Sequence, residues 1–202
     1  MLFYDSMATA AFTYSPLNQA EPSIRFIRLL PLKDHHEGAL IQCELFHTTF
    51  KDGTPLPYTA LSYVWGDPTD TKNIIVDGRR FPVTANLEAA LRSLRSTNAL
   101  LLWVDAICIN QNDLQERGHQ VQQMRSVYNS ADTVIAWLGP CGKHTNLAMN
   151  WISSKYYDRT DFGLSIGELQ RRYVKGVLEI LRRPWFRRIW VMFHFRIQYL
   201  PY

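Results

Sequence analysis

The hydrophobic period of this chain changes once, near Asn86, and that change limits the folds open to it. Before Asn86 the apolar residues come in short runs of the kind that make strands. SIRFIRLL (23–30) alternates its large apolar side chains as a half-buried strand does, and Pro31 ends it. ALIQCELF (39–46) predicts a second strand after the polar loop KDHHEG. YTALSYVW (58–65) follows the turn-rich KDGTPLP and predicts a third, stopped by Gly66, Asp67 and Pro68. NIIVDGRRFPVT (73–84) predicts a hairpin, because Asp77-Gly78 supplies the left-handed turn between two apolar runs.

From Asn86 the spacing becomes helical. Leu87, Ala90, Leu91 and Leu94 predict an amphipathic helix over 86–96 with Thr84 as its cap. LLWVDAICI (101–109) is nearly unbroken apolar sequence and predicts a central strand covered on both faces. Asn112 opens a second helix with Gln115 at the reciprocal capping position, and Leu114, Val121, Met124 and Tyr128 form its expected buried stripe. Gly118 inside that helix implies close packing, a nearby ligand or simple tolerance. DTVIAWLG (132–139) predicts another buried strand, and helical stretches follow near 144–157 and 166–183. The order predicts an α/β fold: a mostly parallel sheet flanked by helices, with an antiparallel N-terminal portion and a hairpin.

A length of 202 residues suits one domain with a sizeable core, or two small ones. Hydrophobic residues at 47% and charged residues at 20% exclude wholesale disorder. No apolar run reaches the roughly 18 residues of a membrane span. MLFYDSMATAAF has no basic region before its apolar stretch, so it does not read as a secretory signal, and residues 1–22 predict a loose arm. Cys43, Cys108 and Cys141 are odd in number and lack a C-x-x-C pair, which fits reduced thiols in a cytoplasmic protein and no metal site. The net charge of +4 is uneven: residues 171–202 hold eight Lys/Arg against Glu179 alone, +7, leaving −3 to residues 1–170. Without a nucleic-acid motif beside it, this basic end reads as a solvated helix face rather than a nucleic-acid surface.

In parallel sheets ligands sit at the carboxyl ends of strands, so the polar groups just past those ends are the candidate site. Tyr63 and Trp65 straddle one strand face, with Gly66 permitting close backbone approach and Asp67 beyond; the rings either stack on an adenine or nicotinamide or pack in the core. Asp105 either orients a ribose hydroxyl or a cation, or caps the following turn. Asn110, Gln111 and Asn112 gather amides before a helix N-terminus, where anions bind and ordinary caps also form. Glu116 and Arg117 lie in that helix's first turns, and Glu116 complements its dipole. Phosphate-loop, dinucleotide-fingerprint and H-E-x-x-H patterns are all missing from the sequence.

Six blocks in order resemble the heterokaryon incompatibility (HET) domain family of filamentous fungi, from about Tyr14 to Met192. They are IRLL (27–30), YTALSYVWGD (58–67), VTANLEAALRSLR (83–95), LWVDAICINQNDLQERGHQVQQM (102–124), VYNSADTVIAWLG (127–139) and RRPWFRRIWV (182–191). The resemblance implies a HET domain over 23–192, incomplete at its C-terminus, with an atypical tail over 193–202. It implies a flavodoxin-like sheet similar to TIR domains, self/non-self recognition and cell-death signalling, and partners among second copies or other HET or NLR-type signalling proteins. It also implies NAD as substrate of a site at Tyr63, Trp65, Gly66, Asp67, Asp105, Asn110, Gln111, Glu116 and Arg117. Family members continue with W-V/I-x-Q-E after RRIW, whereas this chain has Trp190-Val191-Met192-Phe193-His194. His194 therefore stands where the catalytic glutamate is expected, and little or no NAD cleavage is the expectation. The tail FHFRIQYLPY has the character of a read-through intron or a shifted frame.

Overall fold

The computed structural model describes residues 12–18, 21–32, 38–49, 56–142, 144–153 and 166–187. Two units divide the chain, Met1–Ala136 and Trp137–Tyr202. In the first, β1 (Ser23–Leu29) and β2 (Gln42–Thr49) pair antiparallel along their length, from Ser23 opposite Thr49 to Leu29 opposite Cys43. β2 begins three residues later than its apolar run. Arg92 and Arg95 donate to the Ala39 carbonyl and Arg95 to that of Leu40, so side chains satisfy these two carbonyls, while Ile41 O accepts from the backbone of Ile75.

β3 (Thr59–Tyr63) is buried at all five positions. β4 (Thr71–Val76) and β5 (Arg79–Thr84) form the predicted hairpin, with Asp77 at φ 49° and Gly78 at φ 75°. Two successive left-handed residues match the twist of the strands they join. α1 (Ala85–Leu94) starts at Thr84, whose hydroxyl accepts from Leu87 N. β6 (Leu100–Trp103) lies parallel to β3, and β7 (Thr133–Trp137) ends the sheet, whose order is β5-β4-β2-β1-β6-β3-β7. The α/β class is borne out. The sheet is mixed: β3 with β6 and β2 with β4 run parallel, while β1 runs antiparallel to both β2 and β6. β7, expected to be buried, is half-buried because it occupies the end of that order.

Three expectations need correction. The apolar run at 101–109 is not one strand: after Val104 the chain turns into α2 (Asp105–Cys108), with Cys108 N donating to Val104 O at 2.8 Å. An apolar run hides equally well as strand or helix, so hydrophobicity alone does not reveal the break. The next helix, α3 (Leu114–Ser130), is capped by Asp113, which accepts from Gln115 N and Glu116 N, rather than opening at Asn112. Its buried side chains are Glu116, Gln120 and Val127, whereas Leu114 and Val121 are exposed. The inward face is polar because β1 offers it polar partners, described below.

The second unit holds α4 (Thr145–Ser153) and α5 (Ile166–Leu181), followed by a short 3-10 turn at Pro184–Arg187. The two helices pack where Gly176 leaves room: a Cβ there would lie 2.4 Å from His144 O and 2.7 Å from the Ala148 methyl. Arg183 donates to Leu138 O and Pro140 O, tying down the loop around Gly139. No helix among the described residues is long and apolar enough to cross a membrane.

Candidate functional site at the carboxyl ends of β3 and β6

Parallel pairing of Thr59 with Leu102 and Ala60 with Trp103 brings the carboxyl ends of β3 and β6 to one edge of the sheet. The loops that leave those ends are joined by one bond: the Trp65 indole Nε1 donates to Asp105 Oδ2 at 2.9 Å. Asp105 Oδ1 accepts from Ala106 N at 2.8 Å, so the carboxylate also secures the first turn of α2. Of the roles left open by the sequence, the securing of the following turn is the one formed here, and the other oxygen holds the Trp65 indole. Asn86, in the first turn of α1, donates to Val64 O and sits against Gly66, where a Cβ would be 3.3 Å from the Asn86 Cβ. Gly66 has φ 82°, which a side chain would strain.

Beyond Gly66 the loop closes on itself. Asp67 Oδ1 accepts from the hydroxyl and backbone N–H of Thr69, and these two bonds hold its carboxyl below the ordinary value. On the β6 side, Gln111 Nε2 donates to Asp105 O at 2.9 Å, and Asn110 Oδ1 accepts from Asn112 N at 3.3 Å. The amide cluster is thus folded back on its own backbone.

That loop rests on a buried ion pair. Arg25, in the middle of β1, meets Glu116 in bidentate geometry at 2.5 and 2.9 Å, and both side chains are buried. Glu116 Oε1 also accepts from Asn110 N at 2.7 Å. Arg25 further donates to Cys108 O and Ser15 O, and its guanidinium lies 4.8 Å from the centre of the Tyr14 ring. Tyr14 in turn donates to Ile107 O and meets Phe12 and Phe81 edge-on. Part of the segment expected to be a loose arm is therefore anchored, through aromatic side chains that carry no periodic signal. Burial pushes the Cys108 thiol beside this network up to about 12, which keeps it protonated.

Of the residues singled out in the sequence, Trp65 and Asp105 touch, and Gln111 joins them through the Asp105 carbonyl. Tyr63 is 2% exposed within β3, so the ring open to a stacking partner is Trp65, at 41%. Gly66 and Asp67 shape the exposed loop. Asn110 is half-buried and held by Glu116, whose role is the Arg25 pair rather than only the helix dipole. Arg117 is exposed, about 100° round the helix from Glu116. His194 lies outside the described residues, as does the whole 193–202 tail. Asn86 and Arg25 were missed. Arg25 shares a strand face with Ile27 and Leu29, and an arginine on an apolar face demands an acidic partner; that signal was present in SIRFIRLL.

The profile of the family described as "Heterokaryon incompatibility protein (HET)" matches residues 58–193. This chain belongs to that family. The HET chain is also similar to heterokaryon incompatibility protein 6, OR allele, of Neurospora crassa, at 32% identity over 231 residues. That match covers 91% of this chain and 33% of the relative, so the HET chain spans about a third of the length of the curated relative. No solved structure matches it significantly. The family match begins at the start of β3 and contains the Trp65–Asp105 contact, whereas Arg25 lies before it.

Proposed function

We propose that this HET domain acts in the cytoplasm in fungal heterokaryon incompatibility, as a cell-death signalling module with a TIR-like NAD site. That site, at the carboxyl ends of β3 and β6, takes a dinucleotide and does not cleave it. The observation that carries the reading is the Trp65–Asp105 hydrogen bond, which fixes an exposed indole beside a carboxylate at the edge where open α/β sheets receive ligands. The indole offers a stacking face for a base, while Asp105, buried with both carboxylate oxygens engaged, holds that indole in place. Cleavage of the nicotinamide bond needs negative charge beside a developing oxocarbenium ion. At the position of the expected glutamate, His194 offers either a repelling cation or a neutral ring.

Calorimetric titration with NAD and a nicotinamide-release assay test both halves. The expected result is saturable binding, weakened at least about tenfold by Trp65→Ala, without nicotinamide release. Release appearing in a Phe193→Gln, His194→Glu variant would add support. Failure of the folded protein to bind NAD, or release that His194→Ala abolishes, would overturn the reading.

A second reading, a non-catalytic homotypic module, is favoured by Leu114 and Val121, exposed two turns apart on α3 with Gly118 between them. It predicts toxicity that survives Trp65→Ala and Asp105→Asn but fails with Leu114→Ser and Val121→Ser.

A further inference from the structure

α5 carries an apolar stripe on the side away from its packing. Gly176 and Ile180 are buried, with Gly176 against α4. Val174, Leu178 and Leu181, at i, i+4 and i+7, are 58%, 43% and 54% exposed. Such spacing places them on one face of a helix, where an apolar partner would remove them from water.

Charge runs alongside this stripe on one flank. At about 100° per residue, Arg171, Lys175 and Arg182 fall about 60–100° to one side of Val174, and all three are exposed. The acids of the same helix are already engaged: Glu168 with Arg172 at 3.0 Å and Glu179 with Arg183 at 3.7 Å. No ion pair among the described residues reaches Arg171, Lys175 or Arg182. The opposite flank carries the exposed, uncharged Gln170.

We propose that the outward face of α5 docks an acidic amphipathic helix of a partner protein. The partner's apolar side chains lie on Val174, Leu178 and Leu181, and a single row of its carboxylates meets Arg171, Lys175 and Arg182. The geometry is that of a helix-on-helix pair whose edge charges choose the partner and its direction. A second copy of this chain is disfavoured: packed antiparallel it would set three cations against three, and packed parallel it would leave them without carboxylates. A lipid surface rewards cations on both flanks and aromatic residues in the apolar face, and this stripe has neither. Nucleic acid would use the cations and leave three large apolar side chains in water.

The test uses the full chain and two labelled amphipathic peptides with the same leucine spacing, one edged with glutamate and one with lysine. Fluorescence anisotropy is expected to show binding of the glutamate-edged peptide, weakening with salt, and at least about tenfold weaker binding by Val174→Ser, Leu178→Ser. Lys175→Glu, Arg182→Glu is expected to exchange the preference in favour of the lysine-edged peptide. All substituted positions are exposed, and circular dichroism confirms that each variant is folded. Equal binding of both peptides, or no binding of either, overturns the proposal. So does tighter binding to phosphatidylserine vesicles or duplex DNA that the same substitutions abolish.

Discussion

Arg25 and Glu116 show how much one residue pair settles here. The two are 91 positions apart, yet they meet in bidentate geometry within the first unit and hold the backbone of Asn110. Removing one member of such a pair strands a buried charge, so Glu116→Ala is expected to cost about 3–5 kcal/mol in urea unfolding. Replacing both members with apolar residues of similar size is expected to cost less. Glu88 gives the pH dependence. Burial raises its carboxyl, but hydrogen bonds and charge from Arg92 and Lys72 outweigh that and leave it below its ordinary value of 4.5. A depressed folded value means that its stabilisation is present above about pH 4.5 and fades as pH falls through the folded value. Thermal unfolding is therefore expected to lose less between neutral pH and pH 4 in Glu88→Gln than in the parent.

At the level of elements, two helical glycines predict opposite outcomes. Nothing lies within 4 Å of a Cβ built on Gly118, which removes close packing as the reason for that glycine, so Gly118→Ala is expected to raise stability by up to about 1 kcal/mol. A Cβ on Gly176 would meet the His144 carbonyl, so Gly176→Ala is expected to cost about 1–3 kcal/mol, both measured by chemical unfolding. The strands at 23–29 and 59–63, the hairpin and α1 were legible in the sequence because each is decided by local spacing and turn chemistry. α2 was not, because Ile107 and Cys108 are buried whether the chain is extended or coiled there. The polar inner face of α3 was not either. Its Glu116 and Gln120 are satisfied by Arg25 and the Ser23 carbonyl of β1, and no helical periodicity reports a partner on another element. For the site, the strand ends were legible. That Tyr63 turns inward while Trp65 reaches Asp105 depends on where β3 stops.

For the molecule as a whole, the mixed sheet places two family blocks, the one ending in Trp65-Gly66-Asp67 and the one containing Asp105, side by side at one edge of the first unit. Conversely, the exposed basic and apolar face of α5 belongs to the second unit and requires nothing of that edge. Binding and docking are therefore expected to be separable by substitution: Trp65→Ala leaves peptide capture by α5 unchanged, and Leu178→Ser leaves NAD binding unchanged. The most direct measurement is an NMR titration of the 15N-labelled chain with NAD, following the six tryptophan indole signals, with Trp65 assigned by Trp65→Phe. The account predicts saturable movement of the Trp65 indole and of the Gln111 side-chain amide, with the buried Trp103 and Trp185 indoles unmoved. An unmoved Trp65 signal at saturating NAD, or shifts confined to other indoles, would contradict it.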